Sequence, residues 1–469
     1  MSGLPKGWAC EHAGELCAVI GGATPRTNTQ NYWGGDIPWL TPDDLSRDRR
    51  KYVDGGRRFL TRQGLDSCSA TLVPAGTVLF TSRAPIGYAA IASRPVATNQ
   101  GFKSLVPSNA LTSEFLYWQL QHLTDTIRGM GSGTTFAEVS RKVMATVPLK
   151  VAPFSEQERI VVAIEEAFSK LDTGEAGLLT VRKLIKRMRD AVLAAAVTGR
   201  LVAQDPTDTP ATKLLAELGV EAIEPGAVPS LPGGWAWVAL GDVADVVGGV
   251  TKDSKRQDDP TFVERPYLRV ANVQRGYLDL AVVTTIKVAP AKAAKLELRT
   301  GDVLLNEGGD RDKLGRGWVW EGQVEGCIHQ NHVFRARLAG GIEPKLVSVW
   351  GNTFGQGWFE GRGKQTTNLA SINLTTLKSF PIPVAPVDEQ RRVLSELELQ
   401  FSFLEACERA VDAGLERSAA LRRSVLKAAF EGKLVPQDPT DEPASALLER
   451  IRAERAAAPK AARRSRRSA

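Results

Sequence analysis

The stretch GRLVAQDPTDTPATKLLAEL at 199–218 returns 233 residues later as GKLVPQDPTDEPASALLERI at 432–451. The chain is a tandem duplication. The same offset aligns PLKVAP at 148–153 with PIPVAP at 381–386, and EQER at 156–159 with EQRR at 389–392. A weaker echo joins LPKGW at 4–8 to LPGGW at 231–235, at an offset of 227. The spacing therefore drifts by six residues in the front of each repeat and is fixed in the back. Each repeat holds a variable module followed by a constant one, the pattern expected of one scaffold that presents two different reading heads.

The 469 residues suffice for roughly three domains of about 150 residues, and 43% hydrophobic content is ordinary for a globular chain. The net charge of +7 looks like a nucleic-acid signature until its location is examined. Residues 452–469 hold seven basic side chains against the single acid Glu454, so this tail carries +6 and the remainder about +1. Any basic groove in the folded part must come from local arrangement rather than bulk charge. Cys10, Cys17, Cys68, Cys327 and Cys407 form an odd set without a CxxC, which suggests neither a disulfide framework nor a zinc ribbon and fits a reducing cytoplasm. No run of apolar residues approaches the ~18–20 needed to span a bilayer, and the first ten residues do not resemble a secretory signal. The expected localisation is cytoplasmic, with no membrane partner.

Between Ser155 and Thr198 there is no proline, and Ser155-x-x-Glu158 has the form of a reciprocal helix cap. One long helix is expected. Its seam steps by four and three through Ile160, Ile164, Ala167, Leu171, Gly174, Leu178, Val181, Ile185, Met188 and Val192. Adding 233 gives Val393, Leu397, Gln400, Leu404, Cys407, Val411, Gly414, Ser418, Leu421 and Val425, in the same register. At ~1.5 Å per residue such a helix runs about 65 Å, natural for a coiled coil and too long for a compact domain. The variable modules carry short apolar runs, GTVLF at 76–80 and GDVLL at 301–305, between dense Gly and Pro punctuation. These read as strands of α+β domains with sheet cores. The expected division is a first module at 1–153, a first long helix at 154–203 and a linker at 204–229. It continues with a second module at 230–386, a second long helix at 387–436, a repeat-end helix at 437–451 and a disordered basic tail at 452–469.

The order module, long helix, module, long helix, with IPVAPVDEQ before the second helix and EGKLVPQDPTDEPA after it, resembles the DNA-specificity subunits of type I restriction-modification systems. The first repeat carries the matching PLKVAPFSEQER and TGRLVAQDPTDTPA, so the resemblance covers all but the tail. It implies two α+β target recognition domains, each reading one half of a bipartite double-stranded DNA site. It further implies two long helices forming an antiparallel coiled coil that sets the spacer and docks two methyltransferase subunits, which recruit the motor and restriction subunits. S-adenosylmethionine, ATP and Mg would then belong to those partner subunits and not to this chain. Physically, antiparallel packing turns a direct repeat into a pseudo-twofold object. With a B-DNA turn of about 34 Å, a coil of this length suits two half-sites roughly a turn or two apart.

Residues suited to base edges or phosphates cluster in both modules. In the first they are Gln30 and Tyr32 within RTNTQNYW, Arg83, Asn99 and Gln100, and Ser132, Thr134 and Thr135 within RGMGSGTT. In the second they are Lys252, then Arg311, Lys313 and Arg316 within NEGGDRDKLGR, Gln330 and Asn331 between two histidines, and Arg362, Lys364, Gln365 and Thr366 within GRGKQTT. GSGTT and GRGKQTT occupy equivalent places in the repeat. Solvated loops use the same residue types and the ordinary-turn reading weighs more for each cluster, except the repeated pair, where the two readings balance. Trp33, Trp39, Trp318, Trp320 and Trp358 are candidates for base stacking or for cores. His329 and His332 lack the Cys or carboxylate partners of a metal site, and no metal is expected.

Catalysis in this polypeptide is not expected. Glu431-Gly432-Lys433 matches half of a nuclease signature, but it ends a coil and its repeat partner is Thr198-Gly199-Arg200. Gly363-Lys364 is followed by Gln365 where a phosphate loop needs Ser or Thr, and no amino-methyltransferase motif of the Asn-Pro-Pro-Tyr type is present. The second reading is a coiled-coil adaptor that binds only proteins. The divergence of the heads argues against it, because protein docking on a duplicated scaffold favours similar heads.

Overall fold

The computed structural model describes residues 3–83, 85–132, 137–226, 228–253, 257–309, 314–362, 364–365 and 370–457. It divides into two compact units, Met1–Leu178 with Ala413–Ala469, and Leu179–Asp412. Among the described residues no helix is long and apolar enough to cross a membrane.

In the first unit, strand Ala9–His12 opens the module and pairs antiparallel with Pro148–Val151, which closes it. Between them lie two sheets. The larger runs in the order Cys17–Gly21, Lys103–Pro107, Val78–Phe80, Ala89–Ala92, Tyr52–Val53, and the smaller in the order Arg58–Leu60, Trp33–Leu40, Ala97–Thr98. The expected strand 76–80 is the centre of the larger sheet, with Val78, Leu79 and Phe80 fully buried. A strand buried on both faces reads as a continuous apolar run, as this one does.

The second unit repeats the frame. Ala236–Ala239 pairs with Pro381–Val384, and Val303–Asn306 is central to a sheet ordered Ala244–Gly248, Val333–Leu338, Val303–Asn306, Gly317–Val319. A three-stranded sheet again stands beside it, Thr284–Val288, Val263–Leu268, Ile328–His329. These are the α+β modules expected from the sequence.

The long helices span Phe154–Val197 and Val387–Phe430. The first begins a residue before the expected cap, so Ser155 lies inside the first turn and the Pro153 carbonyl accepts from the Gln157 N–H. Gln157 fastens the helix to its module. Its buried side chain donates to the carbonyls of Ala110 and Ala152 and accepts from the Thr112 N–H. Gln390 does the same in the second unit with Gly341, Ala385 and the Glu343 N–H.

The helices pair antiparallel, half in each unit. In the first unit Arg422 donates to Asp172 (2.6 Å) and Ser418 to Glu175 (2.6 Å), while Leu178 packs against Gly414. In the second, Arg182 pairs with Asp412 and Arg189 with Glu408. The strict heptad needs correction. Ile160, Ile164 and Ile185 are buried, but Val181 and Met188 are 43% and 38% exposed, and Leu421 is 46% exposed. A helix of 3.6 residues per turn drifts from a 3.5 repeat. The contacts across the pair fall one residue on, at Glu175, Arg182 and Arg189, so charged pairs at its margin alternate with the apolar layers.

Each unit is closed by the tail of the other repeat. After the second helix, Ala444 N–H donates to Gly7 O and Lys150 Nζ to Phe430 O, with Phe430 stacked edge-on against Phe115. After the first helix, Ala211 N–H donates to Gly234 O, and Gln204 to Glu389. Both helices end in a left-handed glycine, Gly199 and Gly432, each at φ +66°. The N–H groups of Arg200 and Lys433 then reach back to Ala195 O and Ala428 O, the six-to-one bond that closes a helix C-terminus. The last helix runs Ala444–Ala457; residues 458–469 of the basic tail lie outside the described residues.

Candidate nucleic-acid interface

In both modules the central strand and its neighbour end beside the short strand that links the two sheets. Equivalent hydrogen bonds identify matching positions. Ala23 N–H donates to Thr98 O and Asn99 N–H to Leu40 O; Val250 N–H donates to His329 O and Gln330 N–H to Leu268 O. Thr98-Asn99-Gln100 in one module therefore stands where His329-Gln330-Asn331 stands in the other. Likewise Ser82 O accepts from Val139 N–H as Glu307 O does from Ile372 N–H, which places the Ser132–Glu138 bridge of one module where the strand Lys364–Gln365 pairs with Ala370–Ser371 in the other.

In the first module the bridge and strand ends converge on Glu138. Its carboxylate accepts from Arg83 (2.8 Å) and from the buried Lys103 (3.2 Å), and its backbone forms a bridge with Ser132. Burial pushes the Glu138 carboxyl up, but the hydrogen bonds from Arg83 and Lys103 prevail and hold it below the usual range. Lys103 Nζ also donates to Ser82 Oγ and lies 3.4 Å from Gln100 O. The exposed Gln100 side chain accepts from Thr24 at 2.5 Å. Asn99 turns inward, its Oδ1 accepting from the Gly101 N–H, so its side chain shapes the turn. Arg83, Asn99, Gln100 and Ser132 are thus brought together. Gln30 and Tyr32 sit apart on the 3-10 turn Gln30–Tyr32. Thr134 and Thr135 lie outside the described residues.

The second module replaces this ionic centre. His332 Nδ1 meets Glu307 Oε2 at 2.6 Å, and Asn331 Nδ2 lies 3.3 Å from His332 Nε2. Gln330 and Asn331 are half-buried beside it, and the Arg316 carbonyl accepts from Asn306 N–H on the same strand end. Lys364 and Gln365 form a strand against Ser371 and Ala370, whose strand pairs in turn with Gly308 and Gly309. Arg362 is stacked over Trp358, 4.5 Å from the ring centroid, and exposed Lys252 follows the Val250 bridge by two residues. Arg311, Lys313 and Thr366 lie outside the described residues.

His329 itself is fully buried, with Nδ1 donating to Val333 O and Nε2 without a partner; burial lowers its pKa to about 4. Trp39 and Trp320 are core residues, 3% and 1% exposed, which leaves Trp33, Trp318 and Trp358 as the accessible indoles of the five. The sequence reading missed Lys103 and Glu138, and it included Glu307 only as part of the cluster NEGGDRDKLGR. For Lys103 the signal is a charged residue inside the apolar strand of FKSLVP at 102–107; Glu138 and Glu307 lie in no named strand and carry no such mark.

Two divergent polar heads on one duplicated helical frame define a two-site binding scaffold. Residues 5–179 match the family model of the type I restriction modification DNA specificity domain. The chain is 37% identical over 163 residues to the MjaIX specificity subunit of Methanocaldococcus jannaschii, a match covering 34% of this chain and 38% of that one. It is 25% identical over 452 residues to the EcoBI specificity subunit of Escherichia coli, covering 92% and 84%. Its structure is similar, with a TM-score of 0.64 at 20% identity over 92% of this chain and 100% of the other, to one solved for complex assembly and conformational transition of the type I restriction-modification system. At that identity the likeness speaks for the fold alone. Residues 5–179 thus match the type I restriction modification DNA specificity domain, and the chain as a whole is similar to type I restriction enzyme specificity subunits.

Proposed function

We propose that this chain is the sequence-reading, non-catalytic subunit of a type I restriction-modification complex. Its recognition domains, at about 1–153 and 230–386, each contact one half of a bipartite double-stranded DNA site. The paired helices set the gap and dock two methyltransferase subunits, which recruit the motor and restriction subunits. S-adenosylmethionine, ATP and Mg act in those partners. The observation that carries this reading is the substitution of residues on an unchanged frame: where one head presents Thr98-Asn99-Gln100 around an Arg83–Glu138–Lys103 centre, the other presents His329-Gln330-Asn331 around a Glu307–His332 pair. A protein-only adaptor has no need to vary those positions while keeping the backbone.

The test is co-expression with the partner methyltransferase and single-molecule mapping of methylated adenines. The expected result is a bipartite motif with a fixed gap that disappears without this chain. A stable complex of the two proteins that methylates no such motif contradicts the reading.

A further inference from the structure

Arg58 lies directly opposite Trp39 in the antiparallel register of the first module's smaller sheet. A register shift between Trp33 and Ile37, with Gly34 at φ +82°, folds the neighbouring strand so that Trp33 faces the same guanidinium. Arg58 Cζ stands 3.4 Å from the Trp33 ring centroid and 5.7 Å from that of Trp39, and the two indoles meet edge-on at 5.0 Å. Both indole N–H groups are engaged elsewhere. Trp33 Nε1 donates to Arg26 O and Trp39 Nε1 to Ala23 O, which pins the loop carrying Thr24 along the edge of this platform. Thr24 reaches Gln100, so the platform adjoins the Glu138 cluster.

What the platform lacks is an acceptor. Neighbouring cations have theirs: Arg57 pairs with Asp43 and Asp44, Arg62 with Asp66, and Arg49, stacked over Tyr88, still donates to Ser46 O. Among the described residues no carboxylate or carbonyl engages the exposed Arg58 side chain. A guanidinium whose plane is fixed by stacking, and whose N–H fork is left open, is suited to a paired planar acceptor. In duplex DNA that acceptor is the O6 and N7 edge of guanine in the major groove. We propose that Arg58, held on Trp33, reads a guanine in the half-site of the first head; this rests on the reading of the chain as a DNA-specificity subunit. A phosphate needs only a mobile positive charge, whereas here the plane is fixed and Gln30, a second base-edge side chain, stands three residues before Trp33.

The complex with its methyltransferase partner is incubated with randomised duplex DNA, and bound DNA is sequenced for the wild type, Arg58→Ala and Arg58→Lys. The wild type is expected to select a bipartite motif. Both variants lose preference at one G·C position of one half, by roughly tenfold to 100-fold, with the other half and the gap unchanged. Lysine fails with alanine because it keeps the charge but not the fork. The proposal is overturned if both variants keep the motif, including where they only melt at a lower temperature, since Arg58 is then a structural partner of Trp33. It is also overturned if alanine weakens all sequences evenly and makes the salt slope shallower by about one while lysine restores both, the mark of a phosphate contact. A wild-type complex that selects no bipartite motif removes the functional reading and this assignment with it, a result distinct from a motif that both variants retain.

Discussion

Burial of His329 makes one strand end of the second head sensitive to acid. The imidazole is held neutral in the fold, with a pKa of about 4 against an ordinary 6.5, so below pH 6.5 the unfolded chain binds a proton that the folded one refuses. Stability from this group is complete above pH 6.5 and falls as the pH drops towards 4, by up to about 3 kcal/mol. The protection of strand Val333–Leu338 against hydrogen exchange, taken relative to the intrinsic amide rate at each pH, should fall over that interval. His329→Thr, which installs the residue of the matching position Thr98, should remove that part of the pH dependence, and equal pH dependence in the two proteins would contradict the account. At this scale the sequence was least legible. Gln330 and Asn331 could be nominated from residue type, but that Asn99 turns inward to its own turn, and that Arg58 meets Trp39 and Trp33, depends on strand register and a bulge. Neither leaves a trace in local composition.

At the scale of the element, the long helices were readable because a proline-free run of 44 residues with a repeating apolar step has few other structures. Which residues face inward was only half readable. The heptad put Val181 and Met188 in the seam, whereas both are exposed and the cross-helix contacts there are the ion pairs of Arg182 and Arg189. Ile185→Ala should therefore cost about 2–4 kcal/mol through the cavity it leaves, while Val181→Ser and Met188→Ser should stay within about 0.5 kcal/mol of wild type. Urea unfolding midpoints of the three variants check this, and equal losses would restore the strict heptad. The repeated glycine at the helix end makes a second case. A Cβ on Gly432 would meet Pro5 Cγ at 2.4 Å in a left-handed conformation, so Gly432→Ala should destabilise the first unit by more than about 1 kcal/mol, seen as a lower thermal midpoint. A midpoint unchanged from wild type would show that the tail does not rest on Pro5.

For the molecule as a whole, duplication was the most legible property, because 20 residues restated at a fixed offset need no structure to be recognised. What duplication concealed is that each head is closed by the other repeat's tail. Sequence order places LVPQDPTD next to the second helix, whereas the contacts of Ala444 with Gly7 and of Lys150 with Phe430 are long-range. The central claim is that the heads on this frame read DNA independently. It is tested most directly by exchanging residues 230–386 for the equivalent module of a relative of different specificity, then mapping methylated adenines in the reconstituted complex. The account predicts that one half of the bipartite motif changes while the other half and the gap stay as they were; a change in both halves, or in neither, would contradict it.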